Sequence, residues 1–176
     1  SGPNVGNLMG KTVERQGEHV TIQVMSVPPK ILQTYGTVTV CVDVFKINGI
    51  AFLFTISRML KYSTAQLLLS MEDKALFECI RKVKFRYQLR GFNLKYIVGD
   101  GQFKSLEARL MSIGIHLNCV SENEHVPEIE RHGRHMKERT RCKFNSAPFK
   151  YHTARMIVEN VYDSNEWINA FPPADG

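Results

Sequence analysis

A short apolar segment that ends in a carboxylate between two glycines constrains this chain most. Leu94–Val98 is typical of a buried strand, and Gly99-Asp100-Gly101 follows it directly. Strands buried on both faces belong to α/β sheets, which bind ligands at the carboxyl ends of their strands. The glycines allow a tight turn and leave room beside the acid. The segment predicts Asp100 at a ligand-binding edge, although an acid that merely opens a turn would look the same.

The first regular strand of the chain carries a second acid. Thr37–Lys46 is rich in β-branched residues and almost continuously apolar, which favours a strand buried on both faces. A carboxylate in the middle of such a strand is costly unless a cation or hydrogen-bond donors compensate it. Asp43 is therefore either a satisfied buried acid or a metal ligand. Asn48-Gly49 then predicts a two-residue hairpin turn.

The remaining pattern alternates strands with helices and predicts an α/β domain. Residues 1–36 are expected to be an irregular N-terminal arm with a possible strand at Val20–Val24, 37–173 the core, and 174–176 a tail. The further predicted elements are strands over 50–57, 61–64, from 94, and 115–120, and helices over 72–90, 104–113, 128–144 and 153–169. The order is β-β-β-α-β-α-β-α-α.

The helix predicted after the fifth strand combines acids in its first turn with a basic stripe. Negative charge is favourable near a helix start, where Glu128 and Glu130 lie. Steps of four, three and four place four residues on one face: Glu130, Arg134, Lys137 and Arg141. Such a face can contact phosphates while its acid holds a metal, or it can be an ordinary solvated surface.

Three acids so placed can share two divalent cations. Asp43, Asp100 and Glu130 lie on the first strand, after the fourth strand and at a helix start. A cation pair activates the attacking oxygen and stabilises the leaving oxygen in phosphodiester displacement. Carboxylate ligands favour Mg²⁺ or Mn²⁺. The histidines and scattered cysteines lack the paired spacing of zinc sites, and the net charge of +6 agrees with a polyanionic partner.

On these motifs the chain resembles the integrase catalytic core of copia-like LTR retrotransposons, in the ribonuclease H-like superfamily. The resemblance runs from about Thr39 to Pro173. Its marks are Val42-Asp43, Thr55–Arg58, Gly99–Phe103, Glu124–Arg131 and Trp167–Pro172. It implies a ribonuclease H-like α/β fold whose five-stranded mixed sheet has three antiparallel strands, then two parallel ones, flanked by helices.

The resemblance also implies an activity and assigns residues to it. Such cores are metal-dependent DNA strand transferases that trim 3′ ends and join element DNA to target DNA. Carried over, the catalytic and Mg²⁺-binding (or Mn²⁺-binding) acids are Asp43, Asp100 and Glu130. The expected DNA contacts are Arg131, Arg134, Lys137 and Arg141. The 29 residues between the second and third acids are fewer than is usual in retroviral relatives, so Glu138 is an alternative third acid and Glu128 a nearer competitor.

Partners and location follow from the same resemblance. The expected partner is double-stranded DNA, and the expected assembly is a homodimer or higher oligomer. The protein is expected in the nucleus, after a cytoplasmic particle, with no membrane association. Two other functions remain open on the residues alone: a ribonuclease H-like nuclease with the same acids, and a domesticated nucleic-acid-binding module that has lost catalysis.

Overall fold

Five strands and five α-helices form the part of the chain that this computed structural model describes, namely residues 25–120, 126–148 and 150–172. The strands are β1 (Thr37–Ile47), β2 (Ile50–Ser57), β3 (Ser63–Leu67), β4 (Asn93–Gly99) and β5 (His116–Cys119). The helices are α1 (Pro29–Tyr35), α2 (Asp73–Gln88), α3 (Glu107–Ser112), α4 (Pro127–Ser146) and α5 (Ala154–Ala170), and a 3₁₀ helix (Gly101–Leu106) leads into α3. No helix within these ranges is long and apolar enough to cross a membrane.

One sheet of order β3-β2-β1-β4-β5 organises the molecule. The pairings of β1 with β2 and of β2 with β3 are antiparallel. The pairings of β1 with β4 and of β4 with β5 are parallel. The predicted mixed sheet, with three antiparallel strands followed by two parallel ones, is confirmed. Its central strand is β1, so the acid on that strand lies at the middle of the sheet.

The hairpin between β1 and β2 fixes the register of the central strands. Asn48 and Gly49 both have left-handed backbone angles, with φ of 48° and 81°. A two-residue turn with two positive φ values suits the twist of the flanking strands, and asparagine and glycine adopt it at least cost. The register that follows places Asp43 opposite Phe54.

Side chains alternate along β1 between two separate cores. The valines at positions 38, 40 and 42 pack with buried residues of α2, which we call the α2 face. Cys41 and Ile47 pack with Met136 of α4 and Val161 of α5, which we call the α4 face. Because side chains two residues apart in a strand share a face, Asp43 belongs to the α4 face.

Helix α1 lies in the segment that was predicted to be irregular, so that expectation is wrong for Pro29–Tyr35. None of its seven residues is buried, and a helix without a buried face leaves no apolar periodicity in the sequence. Proline at its first position does favour a helix start. The possible strand Val20–Val24 lies outside the described residues.

Two other elements begin at places different from those predicted. β3 starts at Ser63 rather than 61, because the amide of Tyr62 donates to Ser57 Oγ at 3.0 Å and holds the intervening residues in a turn. The helix expected over 104–113 begins as the 3₁₀ helix, where the amide of Gln102 donates to the Asp100 side chain. Both shifts come from side-chain hydrogen bonds that compete with regular structure.

Candidate active site

The register of β1 with β4 brings the two aspartates to the same edge of the sheet. Cys41 pairs with Val98 in the parallel ladder. Continuing that register by two residues sets Asp43, inside β1, beside Asp100, which directly follows the carboxyl end of β4. This edge is where open α/β sheets carry their ligands.

Each aspartate has one carboxylate oxygen fixed by the backbone. The amide of Val44 donates to Asp43 Oδ1 at 2.7 Å. The amide of Gln102 donates to Asp100 Oδ1 at 3.1 Å and so caps the 3₁₀ helix. These bonds orient both carboxylates before any ligand arrives, and the second oxygen of each remains for a cation.

The negative charges of both other predicted acids affect the pKa of Asp43. Burial is the main cause that raises the pKa of Asp43 above its usual value, and the charges of Asp100 and Glu130 raise it further. The Val44 amide and the Lys137 ammonium oppose that shift. The Asp43 carboxylate therefore lies within electrostatic range of Asp100 and of Glu130. Glu130 reaches this position from the first turn of α4.

The two competing glutamates lie elsewhere. Glu128 Oε1 is 3.2 Å from Arg58 Nε, on another side of α4. Glu138 is exposed two turns further along the helix. The negative side chains that raise the Asp43 pKa are those of Asp100 and Glu130. This geometry favours Glu130 as the third acid, an assignment that stays a prediction.

The two glycines beside Asp100 serve different purposes. A Cβ on Gly99 would lie 2.8 Å from Phe103 and 2.9 Å from Val42, so close packing requires glycine there. A Cβ on Gly101 would meet nothing within 4 Å. The expected room beside the acid therefore exists on the Gly101 side, and neither glycine has a positive φ.

The donor set fits a hard divalent cation. Three carboxylates that repel one another are the ligands Mg²⁺ and Mn²⁺ prefer, and a cation would offset the repulsion that raises the Asp43 pKa. Residues 25–120, 126–148 and 150–172 contain no group of three His, Cys, Asp or Glu side chains already arranged to hold a metal. Asp43, Asp100 and Glu130 are the residues that would bind the ion.

Helix α4 approaches the sheet closely at one glycine. A Cβ on Gly133 would lie 3.1 Å from Cε1 of Phe45. The Phe45 ring stacks on Phe54 with centroids 3.8 Å apart and planes 4° apart. Lys137 Nζ lies 5.0 Å from the centre of the same ring. This contact sets the distance of α4 from β1 and carries Glu130 and Lys137 toward Asp43.

The predicted basic residues do not all lie together. Lys137 and Arg141 line a cavity of about 210 Å³ with Lys46, and Arg134 is exposed. Arg131 lies instead in a separate cavity beside Arg58. Sequence reasoning missed Lys46, because its contact with α4 depends on how the end of β1 meets the helix.

The sheet order and the acids at its edge define a ribonuclease H-like fold of the integrase-core type. The structure superposes on the crystal structure of the catalytic core domain of BIV integrase with a TM-score of 0.59. The two share 12% sequence identity over 77% of this chain and 86% of that chain. No family model matches this sequence, and no curated protein matches it significantly. At this identity the likeness establishes the fold.

Proposed function

We propose that this chain is the catalytic core of an integrase from a copia-like LTR retrotransposon. It would trim the 3′ ends of element DNA and join them to target DNA. The observation that carries the proposal is the integrase-type fold, in which Asp43 lies close enough to Asp100 and Glu130 for their charges to raise the pKa of Asp43. The sequence motifs from Glu124 to Arg131 support the retrotransposon branch.

The chemistry assigns a task to each acid. Bound Mg²⁺ or Mn²⁺ would supply activation of the attacking oxygen and stabilisation of the leaving oxygen. Asp43 and Asp100 present carboxylates already oriented by backbone amides. Glu130 adds the third carboxylate from a helix whose position is set by the Gly133–Phe45 contact. In the absence of cations, the Lys137 ammonium partly compensates the Asp43 charge.

The proposed substrate is double-stranded DNA that reaches the acids along α4. Lys46, Lys137 and Arg141 surround one cavity near the middle of that helix. Cations on a helix that leads to an acid cluster can hold the phosphate backbone on either side of the reacting bond. We further propose a homodimer or higher oligomer acting in the nucleus, as the resemblance implies.

A ribonuclease H-like nuclease is the second candidate, because it would use the same three acids. A non-catalytic nucleic-acid module is the third, and it would need the basic residues but not the acids. The acids of this chain are all present and close enough to interact, which favours a catalytic function over the module.

One assay separates the three. A labelled duplex with a 3′-hydroxyl end is incubated with a supercoiled plasmid and Mg²⁺ or Mn²⁺. Covalent joining of the duplex to the plasmid is the expected result and supports an integrase. Metal-dependent nicking without joining would identify a nuclease, and DNA binding with neither reaction would identify a module. Glu138→Gln is the matched control, because it removes an exposed acid from the same helix.

A further inference from the structure

A second cavity lies beside the first turns of α4, where Glu128 rather than Glu130 points. Its volume is about 420 Å³, within the range of small-molecule sites. Among the described residues, three cationic side chains line it, those of Arg58, Lys61 and Arg131, and one carboxylate, that of Glu128. Because cations outnumber acids among these lining residues, the cavity suits an anion.

Lys61 is held in an unusual backbone conformation at this cavity. Its φ is +56°, a left-handed value that costs about 1 kcal/mol for a residue with a Cβ. The turn is fixed from both sides, because Ser57 N donates to Tyr62 O at 2.9 Å and Lys61 N donates to Ser57 O at 3.1 Å. Glycine or asparagine would adopt this conformation at lower cost. A lysine at this position is explained if its ammonium binds a ligand in the cavity.

His132 adds a buried polar atom without a partner. The residue lines the cavity and is 3% exposed. Within the described residues its Nε2 has no hydrogen-bond partner, and its ring is held at 6.1 Å from the Phe54 ring. An unsatisfied buried nitrogen costs about 1–3 kcal/mol. In the tautomer with its proton on Nε2, that atom can donate to an oxygen of a ligand.

Arg58 is already oriented for such a ligand. Its Nε lies 3.2 Å from Glu128 Oε1. A guanidinium held on one edge loses little freedom when it binds an oxyanion. The apolar walls of the cavity include Ile56 and Ile168, which suits a ligand that carries an organic group as well as charge.

We propose that this cavity is a binding site for a phosphate group, separate from the three acids. The phosphate would contact Lys61, Arg58 and Arg131, with His132 Nε2 as a further donor. The group has two possible sources, a free phosphorylated small molecule or a backbone phosphate of bound nucleic acid. This site does not depend on the proposed strand transfer, because none of its residues belongs to the acid cluster.

The test uses inorganic pyrophosphate as the probe, titrated calorimetrically without divalent cations so that the acids do not contribute. Lys61→Gly removes the ammonium while glycine accepts the left-handed φ, so the fold is retained. We expect this variant to bind at least about tenfold more weakly, since a charge-assisted contact is worth 1.5–3 kcal/mol. Lys74→Ala is the matched control: it also removes one exposed lysine, from helix α2, and should bind as the unaltered protein does.

Two further variants locate the binding. Glu128→Gln removes the only carboxylate lining the described cavity, so binding should become several-fold tighter. Lys137→Ala should leave it unchanged. No pyrophosphate binding by the unaltered protein would overturn the proposal. Equal weakening in Lys61→Gly and Lys74→Ala, or a loss confined to Lys137→Ala, would overturn it as well.

Competition then identifies the source of the phosphate. If a short duplex displaces pyrophosphate, and Lys61→Gly also weakens duplex binding, the site holds a nucleic-acid phosphate. If pyrophosphate stays bound while the duplex binds, the site holds a free phosphorylated molecule. Both results support the phosphate site. Repeating the titration with Asp100→Asn separates it from catalysis, because strand transfer should be lost there while pyrophosphate binding persists.

Discussion

The two faces of the sheet bury different kinds of side chain. The α2 face is built around aliphatic and aromatic groups such as Val40, Leu94 and Leu110. Its buried polar groups include the hydroxyls of Thr55 and Thr64, which hydrogen-bond each other at 2.8 Å. The α4 face contains a half-buried acid, Asp43, and the buried polar residues His132 and Asn165. Both faces include the same central strand, so the difference lies in the helices that cover each face and in the side chains that those helices contribute.

Polar burial on the α4 face is partly structural. Asn169 and Asn165 of α5 both donate side-chain amides to Ser63 O, at 2.9 and 3.1 Å. These bonds hold α5 against the edge strand β3 and satisfy the buried groups that make them. Asp43 and His132 differ from these groups: Asp43 carries an ionisable carboxylate, and His132 Nε2 has no hydrogen-bond partner within the described residues. We therefore expect the α2 face to contribute mainly stability and the α4 face to carry the groups with a function.

Asparagine in place of Asp43 or Asp100 tests this division most strongly. Strand transfer should fall at least about a hundredfold, because a metal ligand supplies several kcal/mol of transition-state stabilisation. The free energy of unfolding should be unchanged or higher for Asp43→Asn, because its charge is disfavoured by burial and by two neighbouring acids. Joining assays and urea unfolding measure the two effects. Full activity of Asp100→Asn in Mg²⁺ would contradict the site.

Leu94→Ala is the converse test on the α2 face. Leu94 is fully buried among aliphatic side chains, so its truncation should cost about 2–5 kcal/mol of unfolding free energy. The activity per folded molecule should change little, since Leu94 lies near the start of β4 and Asp100 directly follows its end. Urea unfolding gives the first value, and assays corrected for the folded fraction give the second. A large stability loss from Asp43→Asn together with a small one from Leu94→Ala would reverse the comparison.

The sequence predicted the backbone of the site better than its surroundings. The β-branched run ending near Lys46, the Asn48-Gly49 turn and the Gly-Asp-Gly ending of β4 are local patterns, and local patterns determine strands and turns. The α/β class of the domain was predicted from these local patterns. Their order along the chain then placed Asp43 and Asp100 on adjacent parallel strands.

Contacts between distant elements could not be predicted in the same way. The pairing of Arg58 with Glu128 joins residues far apart in the chain, and the left-handed φ of Lys61 depends on the Ser57–Tyr62 bonds. The position of one side chain on its helix could have been predicted from the sequence. Successive helix residues differ by about 100°, so Arg131 could have been assigned to a different face of α4 from Glu130 and Lys137.

Lys137→Ala tests whether the exposed side of helix α4 contacts DNA. Removing one phosphate contact should weaken binding to all duplex sequences alike and reduce the dependence of log affinity on log salt by about one unit. Cleavage at saturating DNA should fall less than affinity does. Lys74→Ala, which removes an exposed lysine of helix α2, is the control and should leave the slope unchanged. An unaltered slope in Lys137→Ala would make this part of α4 an ordinary solvated surface.

The smallest effect is a pH dependence that belongs to the α2 face. Burial raises the pKa of Tyr87 to about 12, above its ordinary value of 10.0. The unfolded chain therefore releases this proton at lower pH than the folded chain does. The contribution of neutral Tyr87 to stability is complete below pH 10 and is lost as the pH rises through 12.

Tyr87→Phe isolates that contribution. At pH 8 the variant should lose only about 0.5–1.5 kcal/mol, because the Tyr87 hydroxyl donates a long bond of 3.4 Å to Tyr62 O. Urea unfolding between pH 8 and 11 should show the unaltered protein losing stability faster than the variant above pH 10. Parallel curves would mean that water reaches the hydroxyl. The α2 face would then be more accessible to water than its packing indicates. It would also differ less from the α4 face.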